Sequence, residues 1–134
     1  MILKPYGMCM NKVWLVGIGG FIGSISRYLL GGYLNRFSQN SSLPYETLVI
    51  NVVGCFLLGI LAGLAEFRGV FSPEIRVFFF IGILGGFTTF STFSFETIQL
   101  IRDNQIGWAM INIMLQVFLG LAGTWTGLSL SRMA

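Results

Sequence analysis

The sequence predicts an all-α membrane protein with four transmembrane helices in a single domain. Hydrophobic residues make up 54% of its 134 residues and charged residues only 10%, against roughly 25% charged in ordinary soluble chains. The mean hydropathy is +0.80. Four nearly uncharged stretches are each about as long as the roughly 20 residues that a helix needs to cross a bilayer. A helical membrane domain follows from these observations.

The four predicted helices cover residues 13–33, 47–65, 77–95 and 106–130. Short polar connections join them, and such connections require neighbouring helices to run in opposite directions. Pro44 and Pro73 precede the second and third helices, where proline opens a helix without the loss of a backbone hydrogen bond. We therefore expect an up-down-up-down bundle.

The first helix carries a face of small residues and one cation. Gly19 and Gly23 have the GxxxG spacing that lets two membrane helices approach closely. Arg27 is an ionisable residue within an apolar stretch, where charge is expensive. The sequence leaves two interpretations open. Arg27 either extends its guanidinium to the lipid headgroups or holds a positive charge at an aqueous vestibule that attracts anions.

The second and fourth helices bring amide side chains into apolar surroundings. Asn51 is the one conspicuous polar residue of the second helix, and it either bridges two helices or points its N–H donors into a pore. In the fourth helix, Asn112, Gln116 and Gly123 recur at helical spacing, which predicts a polar or small stripe along one face.

The third helix contains the most unusual stretch of the chain. Residues 82–96, GILGGFTTFSTFSFE, combine three glycines, five hydroxyl residues and four phenylalanines. Gly85 and Gly86, followed by Thr88 and Thr89, are weak helix formers, and irregular backbone in a membrane faces protein or water rather than lipid. We predict a break here, of the kind that marks ion or substrate sites in transporters. The alternative is that these residues serve helix packing alone.

Hydroxyl and aromatic side chains recur around the predicted break at three- and four-residue spacing. Thr88, Ser91, Thr92 and Phe95 form one such set, and Phe87, Phe90, Phe93 and Ser94 form the other, so that hydroxyls and rings line neighbouring strips of one helix. Hydroxyl hydrogens and the electropositive edges of phenyl rings both suit an anion. Because a ring edge is a weaker partner than water, such groups would dehydrate a small anion in part without trapping it, as conduction requires. For each phenylalanine the alternative is ordinary packing.

The basic residues of the loops are distributed with a modest bias. Alternating helices place one set of cations on one side of the membrane: Lys4, Lys12, Arg68, Arg76 and Arg132. The other side receives Arg36 and Arg102, and also Arg27 if it reaches that surface. We predict that the side of the membrane with the larger set of cations is the cytoplasmic side. A chain with so weak a preference can insert in both orientations, which permits an antiparallel pair.

Several function classes are disfavoured by composition. The chain has no histidine, the commonest general base and a common metal ligand, and no paired buried carboxylates, so an enzyme is not expected. Its net charge of +3 is scattered, without the basic run that indicates nucleic acid. A small proton-coupled multidrug exporter is an alternative, but it needs a titratable group in the membrane core, and the acidic residues here lie in loops or at helix ends. A non-transporting membrane assembly subunit is a further alternative.

Taken together, these segments resemble the Fluc (CrcB) family of bacterial fluoride channels. GGFIGSISRY at 19–28 resembles the family's first-helix pattern, and ETLVINVVGCFLLG at 46–59 resembles its second. GWAMIN at 107–112 is similar to the start of its fourth helix, and GGFTTFSTFS in the third helix is the most specific string. The resemblance implies a fluoride-selective channel that lets fluoride leave the cytoplasm passively across the bacterial inner or plasma membrane.

The resemblance also implies an antiparallel, dual-topology homodimer with two pores at its interface. A structural sodium ion is expected at the dimer centre, held by backbone carbonyls that match Gly85 and Thr88. The family's pore-facing phenylalanines match Phe90 and Phe93, and its pore asparagine matches Asn51.

Further positions are assigned by the same resemblance. The family's hydroxyl track matches Ser91, Thr92 and Ser94, and its vestibule arginine matches Arg27. Glu96 matches the acidic residue that follows the third-helix signature. The fourth helix departs from the pattern, because Gly120 stands where many relatives have serine and Gln116 stands where a smaller polar residue is expected.

Overall fold

Four helical spans make up the computed structural model, which describes residues 10–38 and 41–133. They are helix one (Met10–Ser38), helix two (Tyr45–Phe67), the third span (Pro73–Arg102) and helix four (Ile106–Met133). Each is long and apolar enough to cross a membrane, and every regular element in these two ranges is helical. The predicted all-helical, four-span architecture is confirmed. Lys4, part of the predicted charge bias, lies outside the described residues.

The helices continue beyond the apolar stretches that mark them in the sequence. Hydropathy locates the part of a helix that lies in hydrocarbon, whereas helical hydrogen bonding persists into the polar interface. The third span begins at Pro73 itself, in its first turn, and the Ser72 hydroxyl accepts a hydrogen bond from the Ile75 N–H over 3.4 Å. This serine and proline together open the span, as side-chain caps and N-terminal prolines generally do.

Neighbouring spans run antiparallel. At one end of the bundle, Arg76 near the start of the third span donates to the Ala65 carbonyl near the end of helix two, over 3.1 Å. At the other end, Thr47 near the start of helix two donates to Glu96 near the end of the third span, over 2.6 Å. The expected up-down order therefore holds for these elements.

Helices two and four are in contact backbone to backbone through glycines. A Cβ atom added at Gly59 would collide with the Thr124 carbonyl oxygen, and one added at Gly127 would collide with that of Phe56. Small residues at such positions let membrane helices approach closely and gain dispersion energy. This pair of helices forms the most extensive packing in the protomer.

Helix one packs against the third span in the same way. A Cβ atom on Gly19 would lie 2.9 Å from the Gly82 Cα, and one on Gly86 would lie 2.7 Å from the Gly20 carbonyl oxygen. Gly23 likewise faces the backbone of the third span. The GxxxG face of helix one is thus a contact face within the protomer.

The third span changes its backbone conformation several times. It consists of an α-turn (Pro73–Arg76), a π-helix (Val77–Leu84), a second short α-segment (Gly85–Phe87) and an α-helix (Phe90–Arg102). Thr88 (φ −84°, ψ 157°) and Thr89 (φ −151°, ψ 114°) are extended and separate the last two segments. Both threonines lie near the middle of the span, where their backbone groups need partners other than the helix itself.

Large apolar side chains cover the outside of the protomer. Among the most exposed are Trp14, Phe21, Tyr28, Phe90 and Trp125. The most completely buried large side chains include the polar residue Asn112. A soluble protein would have the reverse distribution, so this surface suits lipid or another protein.

The contact between helices two and four gives a stability prediction. Gly127→Ala should destabilise the protein by about 1–3 kcal/mol, because its methyl group enters the helix-two backbone. Gly17→Ala is the matched control, since no heavy atom lies within 4 Å of an added Cβ there, and alanine is the better helix former. Thermal unfolding in detergent measures both variants, and equal stability of the two would contradict the described packing.

Candidate functional site

The extended residues Thr88 and Thr89 interrupt the third span. A side-chain amide holds this interruption in place. The Thr89 N–H donates to Asn51 Oδ1 over 2.9 Å, and Asn51 Nδ2 donates to the Thr89 carbonyl over 3.2 Å. Asn51 thereby replaces the partner that a continuous helix would have supplied to the Thr89 N–H, and it adds a donor to the Thr89 carbonyl at the N-cap of the following helix. Each unpaired backbone group in hydrocarbon would cost several kcal/mol, so this pair of hydrogen bonds permits the extended conformation.

Asn51 also reaches helix four. Its Nδ2 atom donates to Gln116 Oε1 over 3.2 Å. Of the two interpretations left open by the sequence, the described contacts show the helix-bridging one, since Asn51 joins helix two to the third span and to helix four. Gln116, at a position that departs from the expected pattern, is part of this same group.

The hydroxyl groups around the interruption are engaged locally. Thr88 Oγ1 donates to the Leu84 carbonyl over 2.9 Å, which is a bond back to its own segment. The Thr92 N–H donates to Thr89 Oγ1 over 3.2 Å and so caps the following helix. Thr89 Oγ1 also lies 3.1 Å from Ser91 Oγ and 3.0 Å from Thr92 Oγ1. Thr89 therefore organises the start of the helix that carries the predicted hydroxyl residues.

Two carbonyl oxygens at the interruption have lost their regular helical donors. In an α-helix the Gly85 carbonyl would accept from the Thr89 N–H, which donates to Asn51 instead. The Thr88 carbonyl would accept from the Thr92 N–H, which donates to Thr89 Oγ1. Within residues 10–38 and 41–133, no cluster of three His, Cys, Asp or Glu side chains could hold a metal.

Several of the predicted site residues surround one cavity of about 380 Å³. Asn51, Gly85, Thr88, Phe90 and Phe93 line it, together with Gln116 and other residues of helices two and four. The ring centroids of Phe90 and Phe93 are 5.4 Å apart with planes inclined by 60°. Phe90 is 78% exposed, so its ring lies on the outer face of the protomer, whereas Phe93 is half-buried.

The remaining predicted residues lie outside this cavity. Ser91 and Thr92 are exposed beside Thr89. Ser94 donates its hydroxyl hydrogen to the Phe90 carbonyl over 3.0 Å, so that hydrogen is already used within its own helix. That all three hydroxyls form one track with the aromatic rings stays a prediction.

A second cavity of about 740 Å³ contains the predicted vestibule residue. Arg27 lines it with Glu46, Thr47, Thr92 and other polar residues of helices one and two. The Arg27 side chain is half-buried. Thr89 lines both cavities, so the interruption of the third span forms the wall between them.

Two polar contacts near the site had no signal in the sequence. Thr47 donates to one oxygen of Glu96, whose other oxygen is buried without a hydrogen-bond partner in the described residues. Asn112 donates to Thr97 Oγ1 over 3.0 Å, and Thr97 Oγ1 donates to the Phe93 carbonyl over 2.8 Å. Such pairs join residues distant in sequence, and residue type alone does not specify them.

Four membrane-crossing helices make this a multi-pass membrane protein. Its polar site lies at mid-span, where the interruption of the third span borders two cavities. Residues 14–128 match the family described as "CrcB-like protein, Camphor Resistance (CrcB)". The chain belongs to the CrcB family.

Curated relatives match nearly the whole chain. The "Fluoride-specific ion channel FluC" of Methylobacillus flagellatus is 43% identical over 124 residues, which are 92% of this chain and 97% of that protein. The protein of the same name from Flavobacterium psychrophilum is 43% identical over 123 residues, 92% of this chain and 98% of that protein. "Fluoride-specific ion channel FluC 1" of Methanosarcina acetivorans is 42% identical over 118 residues, 88% of each chain.

The Thr47–Glu96 contact gives a second stability prediction. Thr47→Val removes the hydroxyl that serves a partly buried carboxylate and should destabilise the protein by about 1–3 kcal/mol. Thr126→Val is the matched control, because its exposed hydroxyl donates only to the Gly123 carbonyl of its own helix. Unfolding in detergent at constant pH compares them. If both variants unfold at the wild-type midpoint, the contact makes no contribution.

Proposed function

We propose that this chain is a fluoride-specific ion channel through which fluoride leaves the cytoplasm passively across the cell membrane. The observation that carries the proposal is the interruption at Thr88 and Thr89, held by Asn51 between two cavities at mid-span. Its relatives bear the name of this activity and are matched over most of their length. Hydrogen fluoride enters cells as a neutral weak acid and ionises inside, so a passive anion path is sufficient for export. The chain is therefore a channel rather than an enzyme.

The two cavities suggest the course of the ion. The vestibule cavity is lined by two cations, Arg27 and Arg36, and one carboxylate, Glu46, and this positive balance raises the local concentration of anions. Past the wall formed by Thr89, the second cavity offers the rings of Phe90 and Phe93. Ring edges attract an anion less strongly than water does, so the ion is conducted rather than retained. We assign supporting hydroxyl contacts to Ser91 and Thr92, and to Ser94 when its hydroxyl turns away from the Phe90 carbonyl.

The interrupted third span also supports a homodimer. Gly85 is exposed on the protomer surface, and its carbonyl, like that of Thr88, has lost its regular donor. Such groups are too costly to face lipid, and a protein surface that covers them meets this requirement. A second copy of this chain supplies that surface and also covers the exposed ring of Phe90. The ion pathway then lies beside the dimer interface, once for each protomer.

The arrangement of cations supports an antiparallel dimer. Within the described residues, Lys12, Arg68, Arg76 and Arg132 belong to one end of the bundle, and Arg36 and Arg102 belong to the other. This bias is too small to impose a single orientation strongly. Insertion in both orientations would let two protomers pair with their interruptions crossing at the centre.

The same crossing suits one structural sodium ion. Backbone carbonyls are the ligands with which channels replace the hydration shell of a monovalent cation, and Gly85 and Thr88 would hold it in each protomer. A bound sodium ion would supply positive charge that satisfies these carbonyls and offsets their cost in hydrocarbon.

Fluoride efflux from liposomes that contain only this protein tests the function. The proposal expects rapid fluoride release, with chloride release far slower under the same gradient. The absence of fluoride release, or equal release of both halides, would contradict it. A non-transporting assembly subunit would release neither ion.

Two substitutions test the assigned pathway. Phe90→Ile removes a ring interaction worth about 1 kcal/mol and should lower the fluoride flux several-fold. Asn51→Ala leaves the Thr89 N–H and carbonyl without their partner and should lower it about tenfold. Phe21→Ile, at an exposed ring of helix one, is the control and should conduct normally. Size-exclusion chromatography checks that each variant remains dimeric, and unaltered flux in both site variants would remove this assignment.

Sodium dependence is a separate prediction. A cation that binds only the folded protein raises its stability with concentration, by about 2.7 kcal/mol at a hundred times its dissociation constant. The unfolding temperature in detergent should therefore rise from choline chloride to sodium chloride at equal ionic strength. Identical unfolding temperatures in the two salts would contradict a structural sodium site.

A further inference from the structure

The vestibule cavity of about 740 Å³ is lined by charges of both signs. They are two cations of helix one, Arg27 and Arg36, and one carboxylate of helix two, Glu46. The nearby Glu96 carboxylate accepts from Thr47 and lines a separate cavity. Among the described residues, Glu46 is therefore the one acidic side chain of the vestibule lining, and an anion that enters there meets attraction and repulsion in the same space.

The Glu46 carboxylate lies against helix one at a position that has no side chain. Gly31 is buried, and a Cβ atom added there would collide with Glu46 Oε1 and lie 3.0 Å from its Cδ. The carboxylate thus occupies space beside the helix-one backbone that a larger residue would fill. Within the described residues no ion pair joins Glu46 to Arg27 or Arg36, so a direct partner does not cancel its negative charge.

Helical geometry gives the order of these charges along the vestibule. Helix one rises about 1.5 Å per residue, so Arg27 lies roughly 6 Å from the level of Gly31 toward the middle of the helix. Arg36 lies roughly 7.5 Å from that level in the other direction, toward the end of the helix. The Glu46 carboxylate is level with Gly31. From the end of the bundle inward, the charges are therefore positive, negative and positive.

This order makes the carboxylate a barrier to an anion that moves inward. A unit charge about 6 Å from an ion in water changes the local concentration of that ion by about threefold. Removal of the carboxylate would leave two cations unopposed and would raise the anion concentration at the wall formed by Thr89. The simpler alternative is that Glu46 only stabilises helix two, since acidic residues in a first turn favour the helix. In that case its charge would not affect ion flux.

We propose that Glu46 limits the rate at which fluoride enters the pore of this chain, by opposing the attraction of Arg27 and Arg36 for anions in the vestibule. The carboxylate acts on the ion through its field and is not a ligand of the ion. The inference rests on the proposed fluoride conduction and adds to it a residue whose neutralisation increases the flux.

Neutralisation of Glu46 tests the sign of the effect. Glu46→Gln keeps the size of the side chain and removes its charge, so fluoride efflux from liposomes in dilute buffer should rise by about threefold. The gain should disappear at an ionic strength of about 0.5 M, because salt screens the field. Glu46→Asp retains the charge and should conduct at close to the wild-type rate. Unchanged or lower flux of Glu46→Gln in dilute buffer would overturn the inference.

Glu66→Gln is the matched control, because it removes the same charge from the opposite end of the same helix. Glu66 is exposed and lies outside the vestibule lining. Its substitution should leave the flux unchanged at both ionic strengths. An equal gain in Glu46→Gln and Glu66→Gln would assign the effect to the net charge of the protein and overturn the role of Glu46. Size-exclusion chromatography checks that every variant remains dimeric.

Thiol chemistry measures the same field without conduction. Gly32 lines the vestibule cavity next to the glycine that faces Glu46, and an added Cβ there would meet no heavy atom within 4 Å. Gly32→Cys therefore introduces a tolerated thiol. Its reaction rates with a sulfonate and with a trimethylammonium methanethiosulfonate reagent are compared in the presence and absence of Glu46→Gln, after subtraction of the reaction of protein without Gly32→Cys. Both reagents attack the same thiolate, so the ratio of the two rates reports the local potential.

The ratio of the sulfonate rate to the ammonium rate should rise by about tenfold on Glu46→Gln, from a threefold gain for the anion and a threefold loss for the cation. An unchanged ratio would overturn the inference even if the flux changes. A raised ratio in a protein whose wild type releases no fluoride would overturn the proposed conduction instead, and would leave Glu46 as a residue that opposes the entry of anions into the vestibule.

Discussion

An unpaired backbone amide or carbonyl costs several kcal/mol inside a bilayer, and this constraint governs the centre of the molecule. Two consecutive residues of the third span, Thr88 and Thr89, are extended at mid-span. The Asn51 side chain accepts from the Thr89 N–H, which has lost its helical acceptor, and donates to the Thr89 carbonyl. Without an amide at that position of helix two, the Thr89 N–H would lose the partner that replaces its helical one.

Close packing of the helices at glycines makes the contact between Asn51 and Thr89 possible. Helix two lies against helix four through Gly59 and Gly127, while helix one lies against the third span through Gly19. Gly54 adds a further requirement, because a Cβ atom there would collide with the Thr88 side chain. These contacts bring Asn51 within reach of Thr89, and the result is one polar centre that separates two cavities.

Much of this architecture was predictable because the bilayer restricts the choices. Hydropathy and short connections are sufficient for four alternating helices. The GGFTT stretch indicated irregular backbone, since Gly85 and Gly86 beside two threonines form helix poorly. Asn51 stood out as an amide in an apolar stretch, although its partner could not be deduced. Its contact with Thr89 spans 38 positions and depends on how the helices pack.

Other features lacked a local signature. The π-helix of Val77–Leu84 consists almost entirely of apolar residues, and it occurs where Gly19 and Gly82 bring two backbones together. The pairing of Thr47 with Glu96 likewise arises from tertiary structure. Gln116 looked like a departure from a family pattern, yet its oxygen accepts from Asn51 and its nitrogen is buried without a hydrogen-bond partner in the described part of the chain. These contacts depend on where donors and acceptors lie in three dimensions, which the residue types alone do not specify.

The third span is interrupted at two threonines, and an asparagine of helix two holds the backbone of the second one. Solid-state NMR of the protein in lipid bilayers, with ¹³C- and ¹⁵N-labelled threonine and asparagine, measures this directly. The account predicts extended-chain carbon chemical shifts for Thr88 and Thr89 and a through-space correlation between the Asn51 side chain and the Thr89 amide. Helical shifts at both threonines, with no such correlation, would contradict it.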